Sequence, residues 1–250
     1  MDAQPTRLFV ACRPALTMTN AITPDNWPTV SALLDEALAL PAAKRDTWLQ
    51  SLDGERAAYG LCRPPGHHAT TSLYGGYCFF NNAAVAAHHI ATTTGTKVTV
   101  LDVDYHHGNG TQEIFYDRDD VQYVSLHGDP TRAYPYTVGY ADETGTGRGL
   151  GSNLNVPLAA RTDDDHFVSA LASACERIAA FGPSTVIVSL GLDTFITDPI
   201  CDLAVTGDGF ERSGAIVREL GLPTVVLQEG GYDVDALGEN VRRWLAGLSG

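Results

Sequence analysis

The sequence predicts an α/β fold of three layers, with helices on both faces of a mostly parallel sheet. Three observations predict it. From about Glu55 onward, short β-branched apolar runs alternate with longer segments of helical periodicity. The strongest of those runs are apolar throughout, as strands buried on both faces are. Reactive side chains gather directly after four of the runs, where open α/β sheets carry their ligands.

Taken in order, residues 1 to about 22 read as irregular. Asp25 or Asn26 is placed to cap a helix in which Trp27, Val30, Leu33, Leu34, Ala37 and Leu38 recur at helical spacing. Pro41 stops it, and Ala42–Leu52 forms a second helix bearing Trp48 and Leu49. Residues 1–54 are thus an irregular and helical leader, and residues 55–250 the larger domain. Predicted strands are Ala57–Cys62, Lys97–Val103, Val121–Leu126, Thr185–Leu190 and Thr224–Gln228. Predicted helices are Asn82–Thr93, Gln112–Tyr116, Asp163–Phe181, Gly207–Leu220 and Val234–Leu248. Asp163, Asp164 and Asp165 open their helix, where acids favour the positive end of the dipole, and Gly182-Pro183 closes it. The connection from His127 to Leu154 is rich in glycine and long for a structureless loop, which marks it as functional or disordered.

Composition excludes some functions. A net charge of −14 in 250 residues argues against nucleic acid, which needs a basic face, and weakly favours a small cationic substrate. No apolar run reaches the roughly 18 residues of a membrane span, and the patch after Arg7 is broken by Arg13 and Pro14. The five cysteines have no CxxC spacing and are odd in number, which fits free thiols in a reducing compartment. Cytoplasmic location is the expectation.

The chemistry starts at Asp102-Val103-Asp104-Tyr105-His106. In extended chain alternate residues share a face, so Asp102, Asp104 and His106 point the same way. Two buried carboxylates side by side cost several kcal/mol unless a cation compensates them. Asp104, His106 and the distal Asp193 make a three-ligand set with open positions, as catalytic zinc requires. The tandem His67-His68 follows Pro64-Pro65-Gly66. Asp102 is free to orient one imidazole and Asn109 the other. Tyr232, after Gly230-Gly231, can bring its hydroxyl to a developing oxyanion. A loop cap for Asp193, a buried pair for Asp-X-His and a packed aromatic for Tyr232 are the bland alternatives.

These stretches together resemble the arginase/deacetylase superfamily: Arg63-Pro64-Pro65-Gly66-His67-His68-Ala69, Gly75–Asn82, Asp102–Gln112, Ser189–Phe195 and Glu229-Gly230-Gly231-Tyr232. Within it, Ser125–Pro130 and Gly139–Gly145 resemble the bacterial acetylpolyamine amidohydrolases, which are histone deacetylase-like. The resemblance implies the arginase/deacetylase fold and one Zn2+ per chain, with Fe2+ as the alternative, on Asp104, His106 and Asp193. It implies His68 as general base and acid, His67 as its electrostatic partner and Tyr232 as the oxyanion donor. Tyr77, Tyr134 and Gly230 are implied to contact substrate. A structural K+ is implied on backbone oxygens of Asp102, Asp104, His106 and Leu126 and on the Ser125 hydroxyl, all hard oxygen ligands. A two-metal ureohydrolase would need further aspartates where this chain has Gly108 and Phe195.

The implied activity is deacetylation of acetylated polyamines or related amines. The alternatives are an inactive truncated remnant and a protein lysine deacetylase. The family carries a long segment before the Arg-Pro-Pro-Gly-His-His stretch, and only about 60 residues precede it here. The sheet is therefore expected to be incomplete at its N-terminal edge, with Ala57–Cys62 left exposed. The implied partner is a small cationic acetyl-amine, without nucleic acid or membrane, and a homodimer stays open.

Overall fold

The computed structural model describes residues 8–10 and 57–250. Among the described residues seven strands form one sheet, in the order β1-β2-β7-β6-β3-β4-β5, and every pairing is parallel. The strands are β1 (Leu8–Val10), β2 (Ala57–Gly60), β3 (Val98–Asp102), β4 (Val121–Gly128), β5 (Asn153–Leu158), β6 (Thr185–Leu190) and β7 (Thr224–Gln228). The helices are α1 (Asn82–Thr94), α2 (Asn109–Phe115), α3 (Asp164–Phe181), α4 (Gly207–Glu219) and α5 (Val234–Ser249). All five predicted strands and the five helices predicted beyond residue 55 are present, with ends shifted by a few residues.

Two strands depart from expectation. Leu8–Val10 pairs in parallel with Ala57–Tyr59, so β2 does not lie at an open edge as the sequence led us to expect. β5 begins at the end of the glycine-rich connection and pairs with β4 from Asn153↔Tyr123 to Leu158↔Gly128. As an outer strand it tolerates Pro157, which removes a donor that a central strand would need. The Trp27–Leu52 helix pair lies outside the described residues.

Alternation along the central strands divides the core in two. On one face Val98 and Val100 of β3, Ile187 of β6 and Val121 of β4 pack against the alanine stripe Ala83, Ala84, Ala87 and Ala91 of α1. On the other, Leu101, Val124 and Val188 pack against Leu171 and Ile178 of α3 and Trp244 of α5. This is the three-layer arrangement. Burying each of these larger aliphatic side chains stabilises the fold by about 1.5–3 kcal/mol. Helix ends obey local chemistry. The Asn81 side chain accepts from Ala84 N at 2.9 Å to start α1, and Asp163 accepts from His166 N at 3.1 Å to start α3. Gly95 and Gly182, at φ 67° and 71°, end them in the left-handed conformation. Among the described residues no helix is long and apolar enough to cross a membrane.

Candidate active site

Because every strand is parallel, the loops after β2, β3, β6 and β7 leave the same edge of the sheet. Those loops hold His67 and His68, Asp104 and His106, Asp193, and Tyr232. The structure brings them together. His106 Nδ1 lies 3.0 Å from Asp193 Oδ2 and 3.3 Å from Asp104 Oδ1. Donor atoms 2.0–2.2 Å from one tetrahedral zinc sit about 3.2–3.6 Å apart, so these spacings suit a shared ion. Both carboxylates are fully buried.

The backbone is cut to fit those carboxylates. Gly230 N donates to Asp104 Oδ2 at 2.8 Å, and Tyr105 N donates to Asp193 Oδ1 at 2.8 Å. A Cβ on Gly230 would stand 2.7 Å from both Asp104 Oδ2 and Asp193 Oδ2, and one on Gly191 would strike the Asp104 carboxylate. Gly230 thus serves the acids directly, which adds to the substrate contact implied for it.

Two buried acids facing each other cannot both ionise cheaply. Burial, then the neighbouring Asp104 charge, raises Asp193 above the usual carboxylate range. Burial also acts to raise Asp104, but His67 and His106 outweigh it and hold that acid low. Burial would lower His106, yet its contacts with Asp104 and Asp193 push the imidazole up to about 10. The pocket therefore gathers negative charge that only a proton or a cation can neutralise. The donor set, one imidazole nitrogen and two carboxylates, fits a divalent ion such as zinc.

The twin imidazoles are held differently. His67 Nδ1–H donates to Asp102 Oδ2 at 3.0 Å, and that same oxygen accepts from the Tyr123 hydroxyl at 2.9 Å. His68 Nδ1–H donates to Asn109 Oδ1 at 2.8 Å. Each imidazole is thus committed at Nδ1 and presents Nε2 to the site. The rings lie 4.1 Å apart. Burial lowers His67, but Asp102, Asp104 and Glu229 outweigh it and hold it well above its ordinary value. Burial and the adjacent His67 push His68 down to about 3. One imidazole is therefore a standing cation and its neighbour a neutral base. Gly76 takes φ 51° against the His68 ring, where a Cβ would collide with the imidazole.

Tyr232 is anchored by its backbone N, which donates to Asp198 Oδ2 at 2.8 Å. Burial, then the Asp104 and Asp193 carboxylates, raises its phenol far above the ordinary value, so it stays a protonated donor beside the acids. Tyr134 packs its ring nearly perpendicular to that of His68, with the ring centroids 4.9 Å apart. Tyr77 stands 72% exposed. Asp102 pairs with Ser125 across β3 and β4, and both are fully buried beside Leu126, while the Ser125 hydroxyl lies 2.7 Å from His127 Nδ1.

Sequence reasoning assigned no role to three residues here, although it marked Glu229 as part of a strand-end motif. Glu229 accepts from Gly66 N at 2.6 Å, from His67 N at 3.2 Å and from Ser189 Oγ at 3.1 Å, tying the histidine loop to β6 and β7. Its signal was an acid directly after an apolar strand. Tyr123, inside β4, and Cys201, in the loop after β6, carried none. Cys201 Sγ, a His106 ring nitrogen and an Asp193 oxygen lie within 4.8 Å of one another.

A model of the histone deacetylase domain matches residues 11–248. The chain belongs to the histone deacetylase domain family. Within that family it is 45% identical over 230 residues to an acetylpolyamine amidohydrolase of Mycoplana ramosa, across 92% of this chain and 65% of that protein. It is 46% identical over 229 residues to acetylpolyamine amidohydrolase 1 of Pseudomonas aeruginosa, across 92% of this chain and 64% of that protein. The crystal structure of an acetylpolyamine aminohydrolase from Burkholderia pseudomallei superposes with a TM-score of 0.76 at 44% identity, over 88% of this chain and 62% of that one. This member of the family thus spans somewhat less than two thirds of the length of those relatives.

Proposed function

We propose that this chain is a metal-dependent amidohydrolase that removes acetyl groups from acetylated polyamines or related acetylated amines. The observation that carries the reading is the convergence of Asp104, His106 and Asp193 beneath a cationic and a neutral imidazole. Zinc held by those three residues would polarise the acetyl oxygen and acidify a water when bound. The chain's own groups do the rest. His68, neutral and free at Nε2, takes a proton from the attacking water as its oxygen bonds to the acetyl carbon. The protonated ring then returns that proton to the nitrogen as the C–N bond breaks, releasing acetate and amine. His67, kept cationic by Asp102, favours the anionic transition state without itself giving up its proton. The Tyr232 hydroxyl, kept protonated, donates to the developing oxyanion.

The ammonium groups of a polyamine suit the net charge of −14, which steers cations, and Tyr134 beside His68 and the exposed Tyr77 offer aromatic surface to them. K+ on the backbone oxygens of Asp102, Asp104, His106 and Leu126 and on Ser125 Oγ completes the reading, with the enzyme acting in the cytoplasm. The similarity to acetylpolyamine amidohydrolases supports it. The test is zinc-dependent acetate release from N-acetylputrescine, lost in Tyr232→Phe and His68→Ala. Faster turnover of acetyl-lysine peptides would redirect the assignment to a lysine deacetylase.

A further inference from the structure

We infer that Glu143 is a positioning residue for the acetyl-amine, acting through Tyr134: its carboxylate ties down the loop between β4 and β5, so that the Tyr134 ring stays against His68. The inference deepens the hydrolase reading above and rests on it. Tyr134 lies within that loop, its ring centroid 4.9 Å from that of His68 and 6.2 Å from that of Tyr136. Arg132, earlier in the loop, is held by Asp202 at 2.9 Å, but both side chains are exposed and such pairs fix a backbone weakly. The loop needs a firmer anchor beyond Tyr134.

Glu143 supplies it. Its Oε2 accepts from Gln112 Nε2 at 2.7 Å, from Gly139 N at 2.8 Å and from Asn155 Nδ2 at 3.3 Å. One oxygen thus joins α2, the loop and β5. The Glu143 backbone adds to the tie: its N donates to Tyr140 O at 3.1 Å, and its O accepts from Asn153 Nδ2 at 2.6 Å. Tyr140 passes the constraint on, since its hydroxyl donates to Tyr136 O at 2.9 Å. Tyr136 holds φ 66°, a conformation that disfavours a bulky side chain and persists only where its surroundings over-determine it.

The direction of these bonds carries the tie into the core. Because a carboxylate oxygen accepts, Gln112 turns its amide NH2 to Glu143 and its Oε1 the other way. That oxygen accepts from His107 Nε2–H at 3.0 Å, from Asn153 Nδ2 at 3.1 Å and from Asn155 Nδ2 at 2.8 Å, and all four of these side chains are buried. Gly139, at φ 104°, sits so close that a Cβ there would stand 2.9 Å from His107 Cγ and 3.0 Å from His127 Nε2. The loop is therefore seated on the histidine that follows the metal ligand His106, and Glu143 is the group that holds it there.

The test uses the full, zinc-loaded chain. In Glu143→Ala, hydrogen exchange of the peptide spanning residues 130–142 should quicken about tenfold, while β3 and β6 exchange as in the native chain and so report a folded core. Glu143→Gln keeps a carbonyl oxygen for the same donors and should stay within about threefold of native. With N-acetylputrescine, Glu143→Ala should raise KM about tenfold, with kcat within about threefold and zinc affinity unchanged, because it touches no metal ligand or proton-transfer group. Tyr134→Ala should raise KM at least as much, and the double variant should be no worse than Tyr134→Ala alone, because the carboxylate acts through that ring. Exchange unchanged in Glu143→Ala, KM losses that multiply in the double variant, or zinc affinity that falls with KM overturns the positioning role and leaves the hydrolase reading standing. A native chain that releases no acetate overturns both.

Discussion

Glu229 offers the sharpest perturbation, because its carboxylate joins two loops that the chemistry needs in register. It is buried, and it accepts from Gly66 N, His67 N and Ser189 Oγ at 2.6, 3.2 and 3.1 Å. Burial pushes the acid up to about 7, partly offset by the His67 charge, so it is poised near its neutral form at physiological pH. Glu229→Ala strands two buried N–H groups and a hydroxyl and opens a void. Each buried donor left without a partner costs about 1–3 kcal/mol, and partial relaxation brings the total to about 3–5 kcal/mol. Glu229→Gln keeps an acceptor for Gly66 and His67 and an amide that can donate to Ser189 Oγ, so its cost is about 1 kcal/mol. Urea unfolding should separate the two variants by about 2–4 kcal/mol. Because the stranded N–H groups belong to the loop carrying both histidines, kcat in the alanine variant should fall 10–100-fold beyond any loss of folded protein. An alanine variant as stable and as active as the native chain would refute the assignment of Glu229 as the clamp.

Three further outcomes follow from the same geometry. Tyr232→Phe should lower kcat about 10²–10³-fold with zinc affinity unchanged by calorimetry, because the phenol donates only to the developing oxyanion. Gly230→Ala forces a methyl to 2.7 Å from Asp104 Oδ2 and Asp193 Oδ2, and should weaken zinc binding about 10–100-fold with only a modest shift in thermal unfolding. His127 is buried between Ser125 Oγ and Gly139 O, 4.6 Å from the His107 ring and near Asp129, and burial pushes it down to about 4. Its folded value lies below the unfolded one, so its contribution is complete above about pH 6.5 and is lost as pH falls towards 4. That amounts to about 3 kcal/mol, and denaturant midpoints measured from pH 7 to pH 4 should show it in the native chain and a smaller fall in His127→Gln.

Much of the fold was legible because its central strands are apolar on both faces, so Val98–Asp102 and Thr185–Leu190 announce themselves without tertiary information. β5 was not, since Asn153, Asn155 and Pro157 interrupt its pattern. The asparagines turn inward to polar partners, with Asn155 donating to Gln112 at 2.8 Å, which no local rule anticipates. β1 is three residues long, too short for any periodicity to register. In the site, the Asp-X-His spacing and the strand-end rule point to Asp104, His106 and Asp193 because period-two geometry and parallel pairing are local facts. The work of Glu229 is hidden because its donors lie 162 and 163 residues earlier in the chain. Tyr123 reaches Asp102 from the middle of an adjacent strand, and nothing in its neighbours distinguishes it from core packing.

The central claim is that Asp104, His106 and Asp193 hold one divalent ion that serves amide hydrolysis. The most direct test removes the metal with a chelator, titrates zinc back, and follows both bound zinc and acetate released from N-acetylputrescine. We expect acetate release to rise in step with occupancy and to saturate at one zinc per chain, with Asp193→Ala showing neither. Turnover that persists without metal, or that is unchanged in Asp193→Ala, would contradict the account.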